Sequence, residues 1–121
     1  MDWLIAVAAL GVVGLFLGAT QLGRIRANLA REHLRKGAKV IDVRGPSEFQ
    51  RAHLEGAVNV PLGELRQRIS QAVPDKRTVL LLHCHSGGRS AIGTRILKNL
   101  GYERVFNLGS YGRAERIVRG K

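Results

Sequence analysis

A chain of 121 residues has room for one domain of ordinary size, and its single cysteine excludes both an internal disulfide and a zinc site built from several thiolates. The formal net charge of +11 points to an anionic neighbour, whether lipid head groups, nucleic acid or a small anionic substrate. The cations are spread along the chain, and the only aromatics are one Trp, two Tyr and three Phe, so no nucleic-acid partner is expected.

In chain order, the first element is "WLIAVAALGVVGLFLGATQL", Trp3 to Leu22, which contains no charged residue. As a helix at ~1.5 Å per residue it reaches roughly 30 Å, the thickness of a bilayer's hydrocarbon core. A cleaved secretory signal would need a cationic start and a shorter apolar core, whereas this chain opens Met1-Asp2. Arg24, Arg26, Arg31, Arg35 and Lys36 follow directly, and cations in that position stay on the cytoplasmic side. The expectation is therefore a transmembrane anchor over 1–23 and a domain over 24–121. The protein would cross the inner (cytoplasmic) membrane once with its domain in the cytoplasm, and export to the periplasm is the alternative. Gly14 and Gly18 form a G-x-x-x-G pair that would allow a weak homodimer, although small residues are common in spanning helices of every kind.

Residues 26–36, "RANLAREHLRK", place Ala27, Leu29, Ala30 and Leu34 near one helical face, with Gly37 as the stop. "KVIDV", 39–43, reads as a buried strand ending at Arg44-Gly45-Pro46, and Ser47 is the predicted cap of a helical turn containing Glu48 and Phe49. A short strand "AVNVP", 57–61, precedes "LGELRQRISQAV", where Leu62, Leu65, Ile69 and Val73 keep helical spacing. "TVLLLHC", 78–84, is a continuous apolar run too short for an independent helix and fits a central parallel strand covered on both faces. Ile92, Ile96, Leu97 and Leu100 mark a helix from Arg89 to Leu100 ended by Gly101, and "RVFNL", 104–108, is the last strand. Strands alternating with helices predict an α/β fold with an open parallel sheet flanked by helices.

In such a sheet ligands bind beyond the carboxyl ends of the strands, which is where Cys84 falls. Taken alone, a free cysteine is as readily a small buried hydrophobe as a nucleophile. The residues after it, "HSGGRS", favour the nucleophile. Gly87 and Gly88 let a loop curl, its N–H groups and the next helix N-terminus can surround the sulfur as an anion, and Arg89 adds a cation for a thiolate or an anionic substrate.

These residues resemble the rhodanese, or thiosulfate sulfurtransferase, family. "IDVRGPSEFQRAHLEGAVNVP" is similar to the family's N-terminal signature through Asp42, Arg44, Phe49, His53, Gly56 and Ala57, and "CHSGGRS" is similar to the active-site loop of single-domain members. "AVPDK" at 72–76 and the shortened end at 108–121 point to the small single-domain members, and the likeness spans about residues 26–112. The resemblance implies a sulfurtransferase in which the Cys84 thiolate takes the outer sulfur of a small anionic donor such as thiosulfate and holds it as a persulfide. A thiol or protein acceptor then removes that sulfur, and no cofactor or metal is required. Many members carry Gly-Gly and a nearby tryptophan at the end of the domain. This chain has Gly109-Ser110 there, and its only tryptophan is Trp3.

Around Cys84 the substrate-binding candidates are His85, Ser86, Gly87, Gly88, Arg89 and Ser90. Asp42 and Arg44 are supporting candidates that either face the same crevice or pair to hold the first loop. Ser86 and Ser90 either donate to the sulfur or cap the next helix, and His53 reads as structural. Strand alternation aims His83 away from Cys84, and a Cys/His pair falls short of the three or four ligands that zinc needs. Two other functions compete with sulfur transfer. A cysteine phosphatase or arsenate reductase would use a similar cradle, but only four residues separate Cys84 from Arg89, where a tyrosine-phosphatase-like loop has five. A non-catalytic membrane adaptor would dock partners on the same domain and would not need the thiol.

Overall fold

The computed structural model describes residues 23–120. The elements are α1 (Ala27–Arg35), β1 (Lys39–Asp42), α2 (Pro46–Arg51), β2 (Val58–Asn59), a 3-10 turn (Leu62–Glu64), α3 (Leu65–Ala72), β3 (Leu80–His83), α4 (Gly88–Asn99), β4 (Val105–Gly109) and α5 (Tyr111–Val118). The strands form one sheet in the order β2-β1-β3-β4, with every pairing parallel. Among the described residues no helix is long and apolar enough to cross a membrane. The Trp3–Leu22 segment and its Gly14–Gly18 pair lie outside the described residues.

Side chains alternate across a strand, and here both faces are covered, which explains why "LLL" of β3 is apolar without alternation. One face carries Ile41, Val43, Leu80, Leu82, Cys84 and Val105 and packs on Leu65 and Ile69 of α3 and Leu97 of α4. The other carries Val40, Leu81 and Leu108 and packs on Ala30 of α1 and Ala114 and Ile117 of α5. β3 lies at the centre, and Leu80, Leu81, Leu82 and His83 are all fully buried.

The predicted strand–helix alternation is present with shifted boundaries. The helix expected from Leu62 begins with a 3-10 turn and becomes α-helical only at Leu65. Ser47 is not a cap. Gly45 holds that position with Pro46 at the first helical site, and the Glu48 carboxylate turns back to accept the Gly45 N–H at 3.1 Å. The helix α5, "YGRAERIV", has no counterpart in the sequence reading. Tyr111, Ala114, Ile117 and Val118 keep helical spacing along it, and Ser110 starts it by accepting the Arg113 N–H at 3.1 Å.

Asp42 and Arg44 close the first loop as a pair. The Asp42 carboxylate is fully buried and accepts from the Arg44 backbone N–H at 2.9 Å, from Nε at 3.0 and 3.1 Å, and from a terminal guanidinium nitrogen at 2.7 Å. That nitrogen also donates to the Ala52 carbonyl at 2.7 Å, and the guanidinium lies 4.7 Å from the centre of the Tyr111 ring. Asp42 shares its face of the sheet with His83, opposite the sulfur, because β1 and β3 pair Asp42 with His83.

Two substitutions test this packing. Leu82→Ala removes a fully buried side chain from the central strand beneath the site, and chemical denaturation should show about 2–5 kcal/mol of lost stability. Asp42→Ala strands the Arg44 guanidinium in a buried site and should cost about 3–5 kcal/mol by the same measurement, whereas loss below about 1 kcal/mol would mean that the pair is not what closes the loop.

Candidate active site

The site begins with an irregularity in the sheet. β3 and β4 run in register from Leu80–Val105 to Leu82–Asn107, then skip a residue so that His83 faces Gly109. Bulges of this kind re-aim the chain at the end of a strand. Gly109 takes φ +94°, and a Cβ there would stand 2.9 Å from Cδ of Arg24, so only glycine fits without displacement. Its carbonyl accepts the Cys84 N–H at 3.2 Å and its own N–H donates to Oδ1 of Asn107 at 2.9 Å, which ties the end of β4 to the residue bearing the thiol.

Beyond Cys84 the chain turns back over the sulfur. Gly87 has φ +102° and caps α4, and its N–H donates to Sγ at 2.9 Å. The Ser90 hydroxyl lies 3.5 Å from Sγ and also within reach of the carbonyls of Gly87, at 3.1 Å, and Gly109, at 3.5 Å. One hydroxyl carries one proton, so an anionic sulfur competes with two neutral carbonyls for it and gains as charge develops. Cys84 is 1% exposed. Burial pushes the thiol pKa up, but the Ser90 hydroxyl and the backbone N–H groups of Ser90, Gly87 and Ser86 outweigh it, and the thiol is held below its ordinary range.

The candidates named from the sequence do not all reach the sulfur. Cys84, Ser86, Gly87 and Ser90 meet around the sulfur, and Ser86 also bridges to Ser110. Gly88 is the first residue of α4 and does not have the positive φ that its pairing with Gly87 suggested, and a Cβ there would meet nothing within 4 Å. His85 is exposed, and its carbonyl accepts the Tyr111 N–H at 3.1 Å. Arg89 is not hydrogen-bonded to the sulfur. Its guanidinium forms a two-point fork with the Glu48 carboxylate, at 2.7 and 2.9 Å, although it remains within electrostatic reach of Cys84. The fork, with the Gly45 N–H in support, lowers the Glu48 pKa to about 2, so this link between α2 and α4 persists well into acid. Asp42 and Arg44 support the loop through their mutual pairing. His53 packs on Phe49, with ring centres 3.9 Å apart, and its Nδ1 lies 2.8 Å from the Phe49 carbonyl oxygen.

Sequence reading missed Glu48, Asn107 and Tyr111. Glu48 carried a usable signal, an acid three residues into a helix that starts Gly-Pro. Asn107 carried another, a polar residue inside the strand "RVFNL". Nothing local marked Tyr111, whose role rests on contacts with residues far away in the chain.

If the donors set the acidity of Cys84, iodoacetamide alkylation should titrate with a midpoint below the ~8.5 of a free thiol. Ser90→Ala removes the hydroxyl and leaves the backbone donors, so its midpoint should move up and its rate at neutral pH should fall. Because the folded thiol is the stronger acid, the thiolate fraction is lost as pH falls through that depressed midpoint and not through the ordinary one.

Comparison with known proteins places this geometry. Residues 26–112 match the family model described as a rhodanese-like domain. The thiosulfate sulfurtransferase PspE of Escherichia coli is 44% identical over 69 residues, which are 57% of this chain and 66% of PspE, so the chain matches just under two thirds of that protein. Among solved structures, an E. coli rhodanese with anions is 39% identical with a TM-score of 0.62, covering 64% of this chain and 91% of that one. The human single-domain sulfurtransferase TSTD1 is 27% identical with a TM-score of 0.66, covering 78% of this chain and 96% of that one. An α/β sheet of this order, a cysteine at the end of its central strand and a matched family model across most of the described residues lead to one conclusion: the chain belongs to the rhodanese-like domain family.

Proposed function

We propose that the protein is a sulfurtransferase that carries sulfane sulfur from thiosulfate, or a similar small anionic donor, to a thiophilic acceptor as a persulfide on Cys84. The observation that carries this reading is the set of donors on a buried sulfur, with the Gly87 N–H at 2.9 Å and the Ser90 hydroxyl at 3.5 Å. Relatives named as thiosulfate sulfurtransferases, and a similar structure described with anions, support it.

The chemistry balances without a cofactor. The Cys84 thiolate attacks the outer sulfur of thiosulfate, the new S–S bond forms as the old one breaks, and sulfite departs with the bonding pair. The product is Cys–S–S⁻, whose terminal sulfur carries the negative charge that the thiolate brought. Donors already directed at an anion hold that charge in either state, which is the requirement for a nucleophile that must also store its product. A thiol or a protein acceptor then attacks the terminal sulfur, takes it, and returns Cys84 as thiolate. Ser86, Gly87 and Ser90 would hold the sulfur, while His85 and Gly88, at the open side of the loop, would meet the donor. Arg89, secured by Glu48, would attract it at longer range.

We also propose that residues 1–23 anchor the domain to the inner membrane with the site in the cytoplasm. The uncharged run from Trp3 to Leu22 and the cations that follow it support this, and export to the periplasm is the alternative. A G-x-x-x-G contact between two such helices would give the weak homodimer. A reporter fused after Lys121 distinguishes the two orientations, and activity confined to the periplasmic side would reverse the assignment.

Intact-mass measurement tests the activity. Exposure to thiosulfate should add one sulfur atom per chain. The adduct should disappear on adding cyanide or a thiol and should not form in Cys84→Ala. A chain that gains no sulfur at any pH between roughly 6 and 9 would overturn the activity and leave the adaptor reading standing.

A further inference from the structure

β3 ends at His83 with Cys84 directly after it, and alternation sends the two side chains to opposite faces of the sheet. The His83 ring is fully buried between Asp42 of β1 and Tyr111 of α5, whose ring it meets edge-on at 5.7 Å between centres. Nδ1 lies 3.2 Å from the carbonyl oxygen of Cys84. Nε2 lies 3.6 Å from Oδ2 of Asp42 and has no hydrogen-bond partner.

Burial pushes the imidazole pKa down and the Arg44 cation adds to that, against the opposing pull of Asp42 and of the Cys84 carbonyl. The ring is therefore neutral at neutral pH and carries one proton. Both neighbouring oxygens only accept, and the Cys84 carbonyl at 3.2 Å is within hydrogen-bond distance where the Asp42 carboxylate at 3.6 Å is not, so the proton belongs on Nδ1 and Nε2 is left with a buried lone pair beside a carboxylate already paired with Arg44. Such an orphaned atom lowers stability, and an apolar residue of similar shape would avoid it. With that cost set against one hydrogen bond, what the ring supplies is a donor to the carbonyl of the nucleophile's own peptide.

We infer that His83 is a positioning residue for the nucleophile: its Nδ1–H holds the Cys84 carbonyl toward the face of the sheet opposite the sulfur, so that the strand-to-loop peptide keeps its acceptor oxygen out of the donor cradle. The inference rests on Cys84 being the sulfur-carrying nucleophile, and it deepens that reading by naming what fixes the start of the loop. An oxygen turned toward Sγ would set one dipole against the thiolate, where the N–H groups of Ser86, Gly87 and Ser90 now all favour it. The effect reaches the sulfur through the peptide, without contact between imidazole and substrate.

The test compares the full chain with His83→Leu and His83→Asn. Leucine keeps the volume and removes both ring nitrogens, and the asparagine side-chain N–H₂ can take the place of Nδ1–H. Cys84 alkylation by iodoacetamide is followed against pH, alongside the urea unfolding midpoint. His83→Leu should raise the alkylation midpoint and slow the reaction near neutral pH by about two- to tenfold, the worth of one net hydrogen bond. Its unfolding midpoint should stay near the parent's, because the lost bond and the removed orphan atom offset each other. His83→Asn should recover most of the reactivity. Nitrogen-15 shifts of His83 in the parent should place the proton on Nδ1, which reports on the idea even if neither variant folds. An unchanged alkylation midpoint in His83→Leu, reactivity lost only in step with stability and not recovered by asparagine, or a proton on Nε2 would each overturn the inference. Alkylation does not require sulfur transfer, so a parent that alkylates as expected but takes no sulfur from thiosulfate would overturn the proposed activity and leave the positioning role standing.

Discussion

Burying a sulfur among donors that favour its anionic form is the constraint on which the rest of this structure depends. Cys84 is 1% exposed, and desolvation alone would keep it a neutral thiol. What opposes that penalty is local: one hydroxyl and three backbone N–H groups, brought to the sulfur by the four residues Cys84 to Gly87 and the first turn of α4. The loop can close this tightly because Gly87 adopts a left-handed conformation, and because the bulge opposite places the Gly109 carbonyl on the Cys84 N–H. Asn107 completes the arrangement from below, holding Gly109 N–H with its oxygen while its nitrogen lies 3.5 Å from the Gly87 carbonyl.

The opposite face of the sheet solves a different problem with the same strands. Asp42 and His83 are neighbours in the β1–β3 register and both are fully buried, so a charge and an imidazole share an apolar layer. Arg44 neutralises Asp42 and stacks over Tyr111, while His83 turns one nitrogen to the Cys84 carbonyl. A polar group on one face thus contacts the peptide whose side chain lies on the other. This coupling across a single strand also gives α5 a part in the site, since Tyr111 touches both Arg44 and His83 and its N–H reaches the His85 carbonyl.

Much of this was legible in the sequence, and the reasons differ by element. "TVLLLHC" announced a central strand because only a strand covered on both faces is apolar without alternation, and "HSGGRS" announced an anion cradle because its glycines and its place before a helix leave few other uses for a lone cysteine. Boundaries shifted where local chemistry decided them, as at Gly45-Pro46, where the cap is a backbone N–H answered by Glu48 and not a serine side chain. The partners of charged residues were beyond sequence reasoning. Arg89 sits beside the cysteine in the chain, yet its fork is with a carboxylate 41 residues away, and nothing in either segment reveals the other. α5 was missed although Tyr111, Ala114, Ile117 and Val118 keep helical spacing, because residues 108–121 were read only as a shortened end; in the fold that stripe packs with Ala30 of α1 against the sheet.

The account stands on Cys84 being a stronger acid than a free thiol, in a cradle that then holds its persulfide. Rapid mixing of the protein with excess thiosulfate, with no acceptor present, measures that directly through the sulfite released in the first turnover. The prediction is a burst of one sulfite per chain, with a rate that rises with pH along a thiol titration whose midpoint lies below the ~8.5 of free cysteine. A burst that follows the ordinary thiol midpoint would contradict the cradle, and no burst at all would contradict sulfur transfer.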